Sequence, residues 1–389
     1  MRNNDCRISR RAKEISPFIV MEVLEEAKKM EKAGHNIIHL EIGEPDFDTP
    51  EPILQAGLKA LGEGDTHYTH SLGKSELREE IAAYYHRKYR VDVSPERIII
   101  ASGTSPAMLL LFSSLLEKGD EVILPNPYYA CYPNIVRYAE GTPVFVHGRE
   151  EEGFKYRLID IKKNISSKTR AVMVNSPSNP TGNVFRKEEL KDLADLGVYI
   201  ISDEIYHGLI YEGTGHTMLE FTDKAFVLDG FSKRYAMTGW RLGYVIVPSE
   251  FVRPIQKLQQ NLFICAASFV QEAAIAALKE GDPYVKKMAE VYDQRRRYLL
   301  SRLKDMGIAT AVEPTGAFYA LANIKKYAKE SYRFAFEALR EAKVAVTPGI
   351  DFGSSCEGYI RISYANSLEN IEEGMNRLEG FLSGLPISR

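Results

Sequence analysis

Lys233 follows Ser232 in the stretch FSKRYAMTGWRLGY, residues 231–244, just beyond the apolar run AFVL (225–228). Arg241 comes eight residues later, between Gly239 and Gly243. A lysine there is either a surface amine at a strand end or a nucleophile held for chemistry. Other polar groups end apolar runs in the same way. RIIIA (97–101) leads into SGTS, where Gly103, Thr104 and Ser105 open a helix pattern, and backbone N–H groups at a helix N-terminus bind anions. RAVMVN (170–175) leads into SPSNPTG, with Asn179 before Pro180. VYIIS (198–202) leads into Asp203 and then Tyr206, and a carboxylate there is costly unless a cation or donors meet it. Each has a plainer reading when taken alone: a serine cap, a loop asparagine, a helix-capping aspartate. Arg361 in YIRISYA (359–365) lies opposite Ile360 and Ile362 by strand alternation, and alone it reads as an arginine on a solvated face. Ligands gather beyond the carboxyl ends of strands in open α/β sheets. Together these residues put an anion nest, a carboxylate, a phenol, an amide and a lysine at one sheet edge. That set suits a phosphorylated aromatic cation joined to a lysine, and pyridoxal 5'-phosphate is such a molecule.

Seven runs read as buried strands of an α/β sheet, mostly parallel: 97–101, 121–124, 143–147, 170–175, 198–202, 225–228 and 242–247. Helix patterns at 75–89, with Ser75 as its cap, and at 187–196 lie between them. The last third differs. Long helix patterns at 250–280 and 282–304 lead to short strands at 317–321, 344–346 and 359–363, with helices at 332–342 and 368–382. The expected division is an N-terminal segment, 1–48, packing on the small domain, a large cofactor-binding domain, 49–285, and a small α+β domain, 286–389.

Hydrophobic residues make up 44% and charged residues 26%, ordinary for a globular chain, and the net charge of −3 argues against a nucleic-acid surface. Cys6, Cys131, Cys265 and Cys356 are far apart and the eight histidines form no metal pattern, so neither a disulfide framework nor a metal site is expected. The charged N-terminus lacks an apolar leader core, and no run approaches the ~18 apolar residues of a membrane helix. A cytoplasmic location is the expectation.

Five motifs, GEPDFDTP, SGTSPA, NSPSNPTG, SDEIY and FSKRYAMTGWRLGY, occur in the order and spacing of one family. The chain resembles class I/II pyridoxal-phosphate aminotransferases of fold type I, in the prokaryotic aspartate/aromatic group. The resemblance implies a seven-stranded sheet between helices and transfer of an amino group to a 2-oxo acid, with 2-oxoglutarate the expected acceptor, in a ping-pong cycle. It makes Lys233 the Schiff-base lysine and proton shuttle. Asp203 would pair with the ring nitrogen, and Asn179 and Tyr206 with the ring oxygen. Gly103, Thr104, Ser105, Ser232 and Arg241 would hold the phosphate, and Tyr129 would stack on the ring. Tyr68 would reach the phosphate of a neighbouring subunit in a homodimer. Gly43 and Arg361, with Tyr129 and Asn179 beside them, would bind the substrate. Gly230 stands where many relatives carry serine. Ser16 and Ser105 stand where many aspartate enzymes carry a lysine for acidic side chains, leaving Arg10, Arg11 or Arg234 as possible substitutes. A carbon–sulfur β-lyase of the same fold is the alternative. A cofactor-sensing regulator would need an N-terminal DNA-binding extension.

Overall fold

The computed structural model describes residues 8–385. Its spine is a sheet of seven strands: β1 (Ile98–Ala101), β2 (Glu121–Asn126), β3 (Thr142–His147), β4 (Thr169–Asn175), β5 (Tyr199–Asp203), β6 (Ala225–Gly230) and β7 (Gly243–Ile246). They lie in the order β1-β7-β6-β5-β4-β2-β3. β2 to β6 run parallel, and β7 is antiparallel to both of its neighbours. Helices cover both faces. Ile53, Leu77, Ile81 and Ala273 fill one side, and Met108, Leu111, Phe112 and Ile255 fill the other. Burial on both faces explains the unbroken apolar runs. β2 and β6 run two residues further than their hydrophobic patterns, taking in Pro125, Asn126, Asp229 and Gly230. Apolar patterning stops short there because the carboxyl ends of these strands carry polar residues.

The smaller unit holds a three-stranded antiparallel sheet, β8 (Tyr319–Asn323), β9 (Thr347–Pro348) and β10 (Tyr359–Ser363), ordered β9-β10-β8. Its core joins Leu40, Tyr292, Leu299, Phe318, Ile360 and Met375. The N-terminal segment docks on it: Ile38–His39 pairs with Val344–Ala345, and the helix Ile19–Lys32 sets Val23 and Ala27 against Phe336 and Leu339.

Four local expectations change. The helix pattern 250–280 divides into Ser249–Leu262 and Ser268–Glu280. The N–H groups of Phe263 and Ile264 both turn back to Gln259 O, and Ile264 takes a left-handed φ of 66°, a break that no glycine or proline announces. The run 317–321 becomes a strand only at Tyr319, because Ala317 has a φ of 58°. The stretch 344–346 is a strand only at Val344–Ala345, and Val346 separates it from β9, which has a different partner. Ser75 is the first helical residue, not the cap, and its hydroxyl donates to Glu76. Lys74 occupies the cap position and is held by Asp65 and Glu272, each at 2.5 Å.

Among the described residues no helix is long and apolar enough to cross a membrane, and no cluster could hold a metal ion. Cys131, Cys265 and Cys356 are free, and Cys6 lies outside the described residues.

Candidate active site

The carboxyl ends of β4, β5 and β6 and the chain leaving β1 converge on a cavity of about 350 Å³. Lys233, Asp203, Tyr206, Asn179, Tyr129, Ser232, Arg241, Thr104, Ser105, Gly43 and Arg361 all line it. Gly103 borders it through Arg241. Tyr68 does not take part, and is 81% exposed.

Lys233 Nζ donates to Gly43 O at 2.6 Å. Burial lowers its pKa to about 8, against the pull of the Glu44 carboxylate. Asp203 is 4% exposed, and burial raises its pKa to about 6. Two donors hold it: the Tyr132 hydroxyl at 2.6 Å from Oδ2 and the Ile205 N–H at 3.3 Å from Oδ1. Asn175 Nδ2 donates to Asp203 O at 3.0 Å, and Asn175 Oδ1 accepts from the Asn179 N–H at 2.8 Å. The end of β4 therefore braces the end of β5.

The helix Thr104–Leu115 starts at Gly103, whose φ of 108° suits glycine. A Cβ there would lie 2.6 Å from Arg241 Nη2. Arg241, itself at φ 56°, donates to Thr238 O at 2.9 Å. A guanidinium and a helix N-terminus thus share one anion-sized corner. Its neighbour Trp240 donates to Thr49 Oγ1 at 2.9 Å and lies over Gly57, where a Cβ would come within 2.6 Å of the ring. A Cβ at Gly230 would come 3.0 Å from Gly243 Cα and 3.1 Å from Leu242 O, so this backbone leaves little room for a serine.

Arg361 is not on a solvated face. β10 is buried throughout, and Arg361 is 2% exposed. Nη1 donates to Asn179 Oδ1 at 3.0 Å, and Nη2 donates to Glu41 O and, at 3.2 Å, to Thr347 Oγ1. Its Nε is buried and has no hydrogen-bond partner among the described residues. The guanidinium carbon lies 4.2 Å from the Tyr319 ring centre and 4.9 Å from that of Phe352. Tyr206 and Tyr319 share a hydrogen bond of 2.8 Å between their hydroxyls. Sequence reasoning does not single out Tyr132, Asn175 or Tyr319. Asn175 ends a strand run, as Asp203 nearly does, and that was a usable signal. The two tyrosines carry none.

The other end of the cavity is apolar, with Phe18, Val20, Met21, Leu24, Ile42 and Met108, and Phe18 packs edge-on to Tyr129 at 5.8 Å. The Ile19 and Val20 N–H groups donate to the Asp351 carboxylate at 3.0 and 3.3 Å, fixing this roof to the small unit. Ser16 is exposed, and its backbone pairs with Asn134. The substitute cations are engaged elsewhere: Arg10 with Glu14 at 3.1 Å, Arg11 with Glu140 at 2.6 Å, and Arg234 with Asp229 at 3.4 Å and over the Tyr84 ring. Among the described residues, the cations lining the cavity are Lys233, Arg241 and Arg361.

The family model for aminotransferase class I and II matches residues 35–378. A (5-formylfuran-3-yl)methyl phosphate transaminase of Methanocaldococcus jannaschii is 46% identical over 97% of this chain and 100% of its own. An aspartate aminotransferase of Pyrococcus horikoshii is 43% identical over 94% of each chain. The solved aspartate aminotransferase from Thermus thermophilus with maleate superposes with a TM-score of 0.93 at 37% identity, over 96% of this chain and 99% of that one.

Proposed function

Because the chain belongs to the class I and II aminotransferases, enzymes that depend on pyridoxal 5'-phosphate, we propose that it moves the amino group of an L-amino acid to a 2-oxo acid, 2-oxoglutarate, in a ping-pong cycle. The observation that supports the residue assignment is one cavity holding an amine of lowered basicity, a braced carboxylate and a guanidinium whose Nε has no partner among the described residues. These residues fit the cofactor. The corner formed by Gly103, Thr104, Ser105, Ser232 and Arg241 holds the phosphate. Asp203 keeps a proton on the ring nitrogen, and the Tyr132 hydroxyl keeps Asp203 in place. Asn179 and Tyr206 donate to the ring oxygen, and Tyr129 covers the ring face.

When bound, the cofactor supplies a carbonyl that takes the amino group and a ring that accepts the electron pair released at Cα. Lys233 would be the residue that joins the cofactor through its amine. Its free amine would serve as the base that takes and returns the substrate's Cα proton. Desolvation of Lys233 lowers its basicity and so raises the share of free amine available for this step. Arg361 and the backbone of Gly43 orient the α-carboxylate, with the planar guanidinium matching its two oxygens.

Borohydride reduction of the loaded enzyme followed by peptide mapping tests the assignment: the label is expected on Lys233, and a label on another lysine overturns it. Lys233→Ala should lose the yellow colour and the activity together. Keto acid release without an amino acceptor would mark the lyase instead. The apolar roof, and a cavity lining with no cation beyond Lys233, Arg241 and Arg361 among the described residues, support neutral donors. Aromatic or small neutral amino acids should serve at least comparably to aspartate. An aspartate preference in kcat/KM above about a hundredfold, ~2.7 kcal/mol, would overturn that.

A further inference from the structure

Tyr319 touches three groups to which the reading above gives tasks at the cofactor and at the substrate carboxylate. Its hydroxyl is 2.8 Å from that of Tyr206, its ring lies 4.2 Å beneath the Arg361 guanidinium, and its phenol oxygen sits 2.1 Å from where a Cβ on Gly43 would stand. Tyr319 is 1% exposed, and Tyr206 is the sole hydrogen-bond partner its hydroxyl has among the described residues. We propose that Tyr319 is a positioning residue for both the cofactor end and the substrate end of the site, its hydroxyl orienting the Tyr206 phenol and its ring bearing the Arg361 guanidinium. The proposal rests on the roles given above to Tyr206 and Arg361.

The geometry separates the two tasks. Tyr206 faces the cavity, so its own proton is free for the ring oxygen only if the hydrogen of the shared bond comes from Tyr319. That donation polarises the Tyr206 hydroxyl and strengthens it as a donor. The ring works differently. Arg361 is drawn to the face of Tyr319 by the ring quadrupole, in a buried setting where such attraction is strongest. Gly43 fits the same arrangement, since any side chain there would push the phenol off both neighbours.

Two substitutions read the two tasks apart in the cofactor-loaded enzyme. Tyr319→Phe keeps the ring and removes the hydroxyl. Tyr206 then gives less of its proton to the ring oxygen, and the negative charge left there holds the proton on the adjacent nitrogen more tightly. The pH titration of the visible absorbance should move upward by about half to one unit, with KM for amino and keto acids within about twofold of wild type. Tyr319→Leu removes the ring as well, and should raise KM about three- to thirtyfold for every substrate alike. Tyr319→Met, closer in volume, replaces it if the leucine variant does not fold. A Tyr319→Phe enzyme that titrates within about 0.2 unit of wild type, or whose KM rises as far as that of the ring-less variant, overturns the proposal. Tyr206→Phe and Arg361→Lys serve as references. If they move the titration and KM respectively while the Tyr319 variants do not, this inference alone fails. If the references move nothing, the roles given to Tyr206 and Arg361 fail with it.

Discussion

Lys233 and Asp203 have pKa values displaced by the same burial in opposite chemical directions, and the signs can be followed separately. The unfolded chain keeps the Lys233 proton up to about 10.5, whereas the folded protein releases it near 8, so this group's contribution to apoenzyme stability rises as pH goes from about 8 to 10.5. Asp203 ionises near 3.8 when unfolded and near 6 when folded, so its contribution falls across that window. Cofactor capture needs the free amine. The rate at which visible absorbance develops after mixing apoenzyme and cofactor should therefore climb through about pH 8 and then level. A rate independent of pH across that range would mean that Lys233 is not the capturing amine. Asp203→Asn should still bind cofactor but turn over far more slowly, because an amide cannot hold the ring proton by charge. A kcat within about threefold of wild type, ~0.7 kcal/mol, would remove Asp203 from that role. Arg361→Ala should raise KM about ten- to a hundredfold for every amino and keto acid, since all share the α-carboxylate. A rise confined to one substrate would place the guanidinium elsewhere. Lys233, Asp203 and Asn179 were legible in the sequence because each follows a strand run closely. Tyr132 and Tyr319 were not, because what makes them matter is a partner distant in the chain.

At the level of elements, the seven large-sheet strands were readable because burial on both faces leaves an apolar run with few alternatives. Their carboxyl ends were cut short where polar residues begin. The break after Leu262 was invisible because LFICAASFV has neither glycine nor proline, and the turn is made by main-chain bonds to Gln259 O. The entry of the helix Ile19–Lys32 is another tertiary device. Its Phe18 N-cap offers no side-chain acceptor, and the distant Asp351 caps it instead. Asp351→Ala should lower stability by about 1 kcal/mol in denaturant unfolding. It should also raise KM for phenylalanine more than for alanine, because Phe18 and Val20 roof the side-chain end. Equal changes for the two donors would separate the roof from specificity.

At the scale of the whole molecule, the division into 1–48, 49–285 and 286–389 stands as a proposal. The core of the smaller unit takes in Leu40 and residues 288 onward, but also Ile205, Tyr206 and Leu209 from the turn after β5, so the two units meet at the site itself. Assembly is proposed as a homodimer with shared sites, since Tyr68 is 81% exposed and lines nothing in its own chain's cavity. Tyr68→Ala and Lys233→Ala enzymes, each nearly inactive, should regain part of the activity when mixed under subunit exchange. A fully active monomer by light scattering would exclude this. The position of Trp240 has an optical consequence. It is the one tryptophan in the chain, it adjoins Arg241, and its indole is pinned by Thr49 over Gly57. Ultraviolet emission from the protein therefore has a single tryptophan source at the edge of the phosphate corner. Loading a yellow chromophore nearby should drain that emission by energy transfer, giving a stoichiometric gauge of occupancy that works even in variants with no turnover.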